Sequence, residues 1–148
     1  MQELWSEVWP VLSQLLIVTV LSGLVGFERE RLGRSAGMRT HMLVGIGSCL
    51  VMMTGIYMYD TFGDVVDPTR MAAQVVSGLG FLGGGAILRY GTSVRGLTTA
   101  AGLWAVGLIG LAVGAGFVVG AAVSSVLVIV VLLILKRFEH SKGQEASR

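Results

Sequence analysis

From Leu97 to Leu135 the chain carries no charged side chain. One helix over that whole stretch would be about 58 Å long at 1.5 Å per residue, close to twice the ~30 Å hydrocarbon core of a bilayer. The stretch therefore reads as two spans, with Gly114-Ala115-Gly116 as the turn between them. Three further stretches are uncharged: Val8 to Phe27, Met42 to Tyr59, and Met71 to Leu88. Each has the length of one span. An unpaired N–H or C=O in lipid costs several kcal/mol, so the spans should be helices. A soluble helical core would show polar faces at a period of 3.6, and these stretches show none. Composition agrees, with 53% hydrophobic residues, 14% charged and a mean hydropathy of +0.77. The expected fold is an all-α polytopic bundle of about five transmembrane helices.

The basic residues orient it. The segment Glu28 to Arg39 carries Arg29, Arg31, Arg34 and Arg39; the third loop carries Arg89 and Arg95. The C-terminal tail carries Lys136, Arg137, Lys142 and Arg148. Alternating sides places ten basic residues on one face and Arg70 alone on the other. The positive-inside rule then puts the N-terminus outside and the C-terminus in the cytoplasm. The expected organisation is a transmembrane domain over residues 1–135, with spans near 8–27, 42–59, 71–88, 97–114 and 116–135, followed by a basic tail over 136–148. No Lys or Arg precedes the first span, unlike a signal peptide, and Trp5 and Trp9 read as interfacial anchors. The single Cys49 excludes an internal disulfide and reads as a small packing residue. Net charge of +2 is explained by topology and contact with anionic headgroups, with no nucleic-acid motif.

Glycine makes up 22 of the 148 residues. Many sit at small-xxx-small spacing: Ser22 and Gly26, Gly80 and Gly84, Gly110 and Gly114, Gly116, Gly120 and Ser124. Membrane helices associate by close packing that small residues permit. Packing within the subunit is the plainer reading, and self-association as a homo-oligomer is the sharper one. Gly78, Gly80, Gly83, Gly84 and Gly85 crowd into two turns of helix. At about 1 kcal/mol each relative to alanine, they suggest either a broken third span that exposes carbonyls to an ion or close packing. Asp67-Pro68 suits a capped start for that span. Asp60, Asp64 and Asp67 offer oxygen ligands to a divalent ion, without strict ligand spacing. Glu28 is expected to be solvated and paired with Arg31 or Arg39, and His41 to make an interfacial hydrogen bond. Thr98 and Thr99 stand at the start of the fourth span. With His41 and His140 the only histidines and no zinc cluster or phosphate loop, the chain is expected not to be an enzyme.

Three motifs carry a family resemblance. Gly26-Phe27-Glu28-Arg29-Glu30 leading into Ala36-Gly37-Met38-Arg39-Thr40-His41 resembles the first motif of the MgtC/SapB family. The stretch from Asp67-Pro68-Thr69-Arg70 through Gln74 and Ser77 to Gly83-Gly84-Gly85 resembles the second. Val94-Arg95-Gly96-Leu97-Thr98-Thr99, continuing past Trp104 to Gly110 and Gly116, resembles the third. Members are bacterial inner-membrane proteins of about five spans. The resemblance implies a role in magnesium homeostasis, nominally Mg²⁺ transport. The alternative it implies is a non-transporting regulator that binds another membrane complex, such as an ATP synthase, through glycine-rich helix faces. Many members carry an ACT-type domain after the last span, where only Lys136 to Arg148 follow Leu135 here; the expectation is a short form. Members often have a polar residue at the position of Gly102. The motif positions with polar chemistry near span ends are Glu28, Arg39, Asp67, Arg70, Gln74 and Thr98, and these are the candidate functional residues. Mg²⁺ enters only as an ion transported or sensed.

Overall fold

The computed structural model describes residues 1–145, and their side chains except those of Glu3, Asp64 and residues 135–145. The basic tail residues Lys136, Arg137, Lys142 and Arg148, together with His140, lie outside the described side chains. Five helices follow in order: α1 (Gln2–Arg31), α2 (Met38–Phe62), α3 (Pro68–Gly85), α4 (Leu97–Gly114) and α5 (Val118–Glu145). Three of them, over Leu4–Arg31, Met38–Phe62 and Leu97–Gly114, are long and apolar enough to cross a membrane; Val118–Ile134 is a shorter apolar segment. α3 has 18 residues but falls short in hydropathy, because Arg70, Gln74 and five glycines dilute its apolar side chains.

The helix ends follow local chemistry. α1 and α4 both stop in a Schellman motif, where a left-handed glycine lets two carbonyls of the last turn be satisfied. At α1, Gly33 has φ of +63°, and the N–H groups of Gly33 and Arg34 donate to the carbonyls of Glu30 and Arg29 at 2.9 and 3.0 Å. At α4, Gly116 has φ of +79°, and Gly116 and Phe117 donate to Val113 and Ala112 at 2.9 and 2.8 Å. α2 begins with the Glu30 carboxylate accepting from the Met38 N–H at 2.8 Å. α3 begins at Pro68, capped by Asp67, which accepts from the Thr69 N–H at 2.9 Å and its hydroxyl at 2.6 Å.

Between α3 and α4 the chain is not a plain loop. Leu88–Tyr90 (β1) and Ser93–Arg95 (β2) pair antiparallel, with Leu88 opposite Arg95 and Tyr90 opposite Ser93. Gly91, at φ of +59°, takes the first place of the two-residue turn, where a primed hairpin turn requires a positive φ. The all-α expectation is corrected to that extent, and the third helix ends at Gly85 rather than Leu88.

α4 is the axis of the bundle and packs against each of the other four helices. Its buried side chains include Leu103, Val106, Ile109 and Val113, the last two joining Val18, Cys49 and Ala121 in one core cluster. Backbones approach closely where side chains are small. A Cβ on Gly110 would meet the Gly45 carbonyl of α2, and one on Gly26 would lie 2.6 Å from the Met38 Cα. These glycines serve packing within the subunit. The glycines of α3 do not: Gly78, Gly80, Gly84 and Gly85 face open space, and only Gly83 touches a neighbour, Ala100. α3 is also unbroken through all five glycines. The expected backbone break is thereby corrected, and of the five glycines expected to pack closely inside the subunit Gly83 alone does so. Phe81 projects from the same helix at 88% exposure.

Candidate functional site

Buried charge lies where α1, α2 and α4 meet. Along α1, Val18, Ser22, Val25 and Arg29 are all buried, the i, i+4, i+7 stripe of one helix face. Glu28 flanks that stripe and is 9% exposed; Arg29 is 2% exposed. The Arg29 guanidinium donates through Nε to the Glu28 carboxylate in a short ion pair. The expected partners of Glu28, Arg31 or Arg39 in a solvated loop, are replaced by its immediate neighbour inside the protein. Helix geometry explains the change, since residues 28 and 29 straddle the face turned toward the bundle while Arg31 points outward and is exposed.

His41 completes the cluster. It is fully buried, not interfacial. Its Nδ1 lies 2.8 Å from the Gly37 carbonyl, so Nδ1 carries the proton and donates, which leaves Nε2 with a lone pair. That Nε2 faces Gly102 on α4, where an added Cβ would be 3.6 Å away. Among the described residues two polar atoms here find no hydrogen-bond partner, Glu28 Oε1 and His41 Nε2. Ionisable groups taken out of water inside a bundle are costly and mark functional positions by default. Glu28 also lines a groove of about 460 Å³ between α1 and α5, walled by Leu24, Phe27, Ile129 and Leu133, with Arg31 at its edge. The arrangement supplies one carboxylate oxygen and one imidazole lone pair to a donor, a proton or a cation.

The six candidate residues do not converge. Glu28, Arg39 and Thr98 lie at the end of the bundle where α1 stops and α2 and α4 begin. Asp67 and Arg70 lie at the start of α3, the end at which Gly55 approaches Pro68. Gln74 follows one turn into α3 and is exposed, as are Arg39, Arg70 and Thr98. Asp67 is occupied as a helix cap, and the Thr69 hydroxyl and N–H hold its carboxyl below the usual carboxylate range. Asp60 is exposed, and the Asp64 side chain lies outside the described residues. Among the described residues no three His, Cys, Asp or Glu side chains gather as a metal site. Sequence reasoning missed Arg29 and the burial of His41. The signal for Arg29 was present in the α1 stripe, whereas that for His41 required the position of α4.

Apolar helices closed around a buried ion pair, with lipid-sized exposure on Leu16, Val20, Leu24, Val126 and Val130, define a helical membrane protein. The chain belongs to the MgtC family, whose pattern matches residues 15–141. Protein MgtC of Brucella abortus strain 2308 is 45% identical over 118 residues, covering 79% of this chain and 48% of that protein. YhiD of Escherichia coli K12, named as a candidate magnesium transporter, is 40% identical over 126 residues, covering 80% and 57%. A Haemophilus influenzae protein without an assigned role is 36% identical over 143 residues, covering 90% and 60%. The chain thus spans about half the length of the curated relatives it matches. No solved structure matches it.

Proposed function

We propose that this is a five-span protein of the bacterial inner membrane, N-terminus outside and C-terminus inside, that serves magnesium homeostasis with Mg²⁺ transport as its nominal activity. The observation that carries this reading is the buried Glu28 carboxylate, one oxygen held by Arg29 and the other without a partner among the described residues. Mg²⁺ keeps several waters and binds through one or two carboxylates, so a dense acidic cage is not required. Family membership and the name given to YhiD support the same ion. Orientation is supported by the fold, because the arginine-bearing 28–39 segment and the β1–β2 hairpin border one cavity and so share one end of the bundle. The test is flux of Mg²⁺ into liposomes, followed with a Mg²⁺-sensitive dye across a membrane potential. Wild-type protein is expected to give a signal above empty vesicles, and Glu28→Gln to abolish it. No signal from wild-type protein would overturn transport.

A second reading rests on α3. Its open glycine face, beside an exposed Phe81, suits contact with another membrane helix, which favours a non-transporting regulator of a membrane complex such as an ATP synthase, or a homo-oligomer. Co-purification from membranes tests it: substitution Gly84→Leu is expected to release the bound complex while leaving the monomer folded. Recovery of the same complex with G84L would sink the idea.

A further inference from the structure

The cavity shared by the 28–39 segment and the hairpin differs in chemistry from the groove at Glu28. It measures about 500 Å³ and is lined by Arg34, Ser35, Tyr90, Ser93, Arg95 and Thr99, with no acidic residue among them. The hairpin register selects these side chains. In an antiparallel pair, opposed residues share a face and alternate residues share it along a strand. Tyr90 opposes Ser93 and Leu88 opposes Arg95, which puts all four on the cavity side. Arg89 sits on the other face, where its Nε donates to the Gly91 carbonyl. Arg34 is fixed opposite by the Schellman motif that ends α1.

Neither Arg34 nor Arg95 forms an ion pair or a side-chain hydrogen bond with any described residue. α4 starts at this cavity with Gly96 as its N-cap and no side-chain cap, so its first-turn N–H groups face outward without one. Thr99, in that first turn, is 4% exposed, and its hydroxyl is without a partner among the described residues. Thr19, Thr54 and Ser125 each send the hydroxyl to the carbonyl four residues back; Thr99 has no such bond and lines the cavity instead. Two unpaired guanidinium groups, an uncapped helix N-terminus and a free hydroxyl on a buried residue all call for negative oxygens.

We propose that this cavity is a phosphate-binding site, taking either the headgroup of an anionic phospholipid or a soluble phosphate compound. Arg34 and Arg95 clamp the phosphate oxygens from opposite walls, the first turn of α4 receives them end-on, and the Thr99 hydroxyl donates the innermost hydrogen bond. The volume accommodates a phosphate with a small polar substituent. The site is independent of the flux reading, since it uses none of Glu28, Arg29 or His41.

The experiment is native mass spectrometry on the delipidated full chain, titrated in one arm with phosphatidylglycerol and in the other with inorganic phosphate. The double substitution R34Q/R95Q is expected to weaken binding by about tenfold or more, and Thr99→Val by about fivefold. Arg31→Gln, at the same end of the bundle but outside the cavity, is expected to leave binding unchanged. Loss confined to the lipid arm assigns a headgroup as the source, and loss in the phosphate arm assigns a soluble ligand. Equal binding by wild type and R34Q/R95Q in both arms would overturn the proposal, as would an equal loss with R31Q, which would reduce the effect to diffuse charge. The folded state of each variant is checked by its retained helical circular dichroism.

Discussion

At the scale of single residues, the informative feature is a charge pair placed one position apart on a helix and turned inward. Breaking such a pair leaves the remaining charge uncompensated, a loss of about 3–5 kcal/mol. Arg29→Met is expected to destabilise the bundle by about that amount in reversible unfolding from mixed micelles, and E28M/R29M to cost less than R29M alone. Equal losses would mean that the pair is solvated. His41 gives a second measurement. A serine hydroxyl at position 102 would stand close enough to donate to the buried Nε2. Gly102→Ser is therefore expected to exceed Gly102→Ala in thermal stability by about 1 kcal/mol, reversing the helix-propensity order of the two residues. Part of this was legible. The i, i+4, i+7 series from Val18 to Arg29 was open to reading, but a charge at the end of an apolar run looks interfacial until a neighbour is known to cover it. The burial of His41 depended on α4, far downstream in the chain, and no local pattern contains that.

At the scale of elements, helix ends were the most legible part, because caps are local chemistry. Asp67 with Pro68 marked the start of α3, and its carboxyl is held low by Thr69. A carboxyl whose folded pKa is depressed contributes stability fully present above its unfolded pKa and lost as pH falls through the lower folded value. Protection of the first-turn amides of α3, taken as exchange relative to the intrinsic rate at the same pH, is expected to fall on acidification through that window, and Asp67→Asn is expected to make that protection independent of pH. The glycines were harder to read, because a residue without a side chain says nothing about what stands beside it. Gly110 and Gly84 look alike in sequence, yet one meets a carbonyl of α2 and the other meets nothing. Gly84→Ala should stabilise the monomer by about 1 kcal/mol through helix propensity. Gly110→Ala should destabilise it by about 1–3 kcal/mol through overpacking. Thermal melts of the two variants check both signs. The hairpin was missed for a different reason: two three-residue strands are too short for an alternation pattern to register.

For the whole molecule, the count of apolar runs translated into five helices, since length and charge are global properties of the sequence that packing does not alter. The proposed orientation is open to a direct check. With Cys49 replaced by Ala, single cysteines at Gln2 and Ser35 are expected to label with a membrane-impermeant thiol reagent from opposite sides of intact cells, position 2 from outside and position 35 only after lysis. Labelling of both from the same side would reject the model of spans. The place of α4 at the centre of the bundle also has a consequence in time. A chain is made from its N-terminus at about 5–20 residues per second, so roughly 3–10 s separate the completion of α2 from that of α4. During that interval the face of α2 that carries His41, Ser48 and Cys49, all buried in the finished protein, has not yet met the helix that covers it. The half-made protein therefore offers its insertion machinery a polar-spotted seam, and α4 is the segment whose arrival closes it.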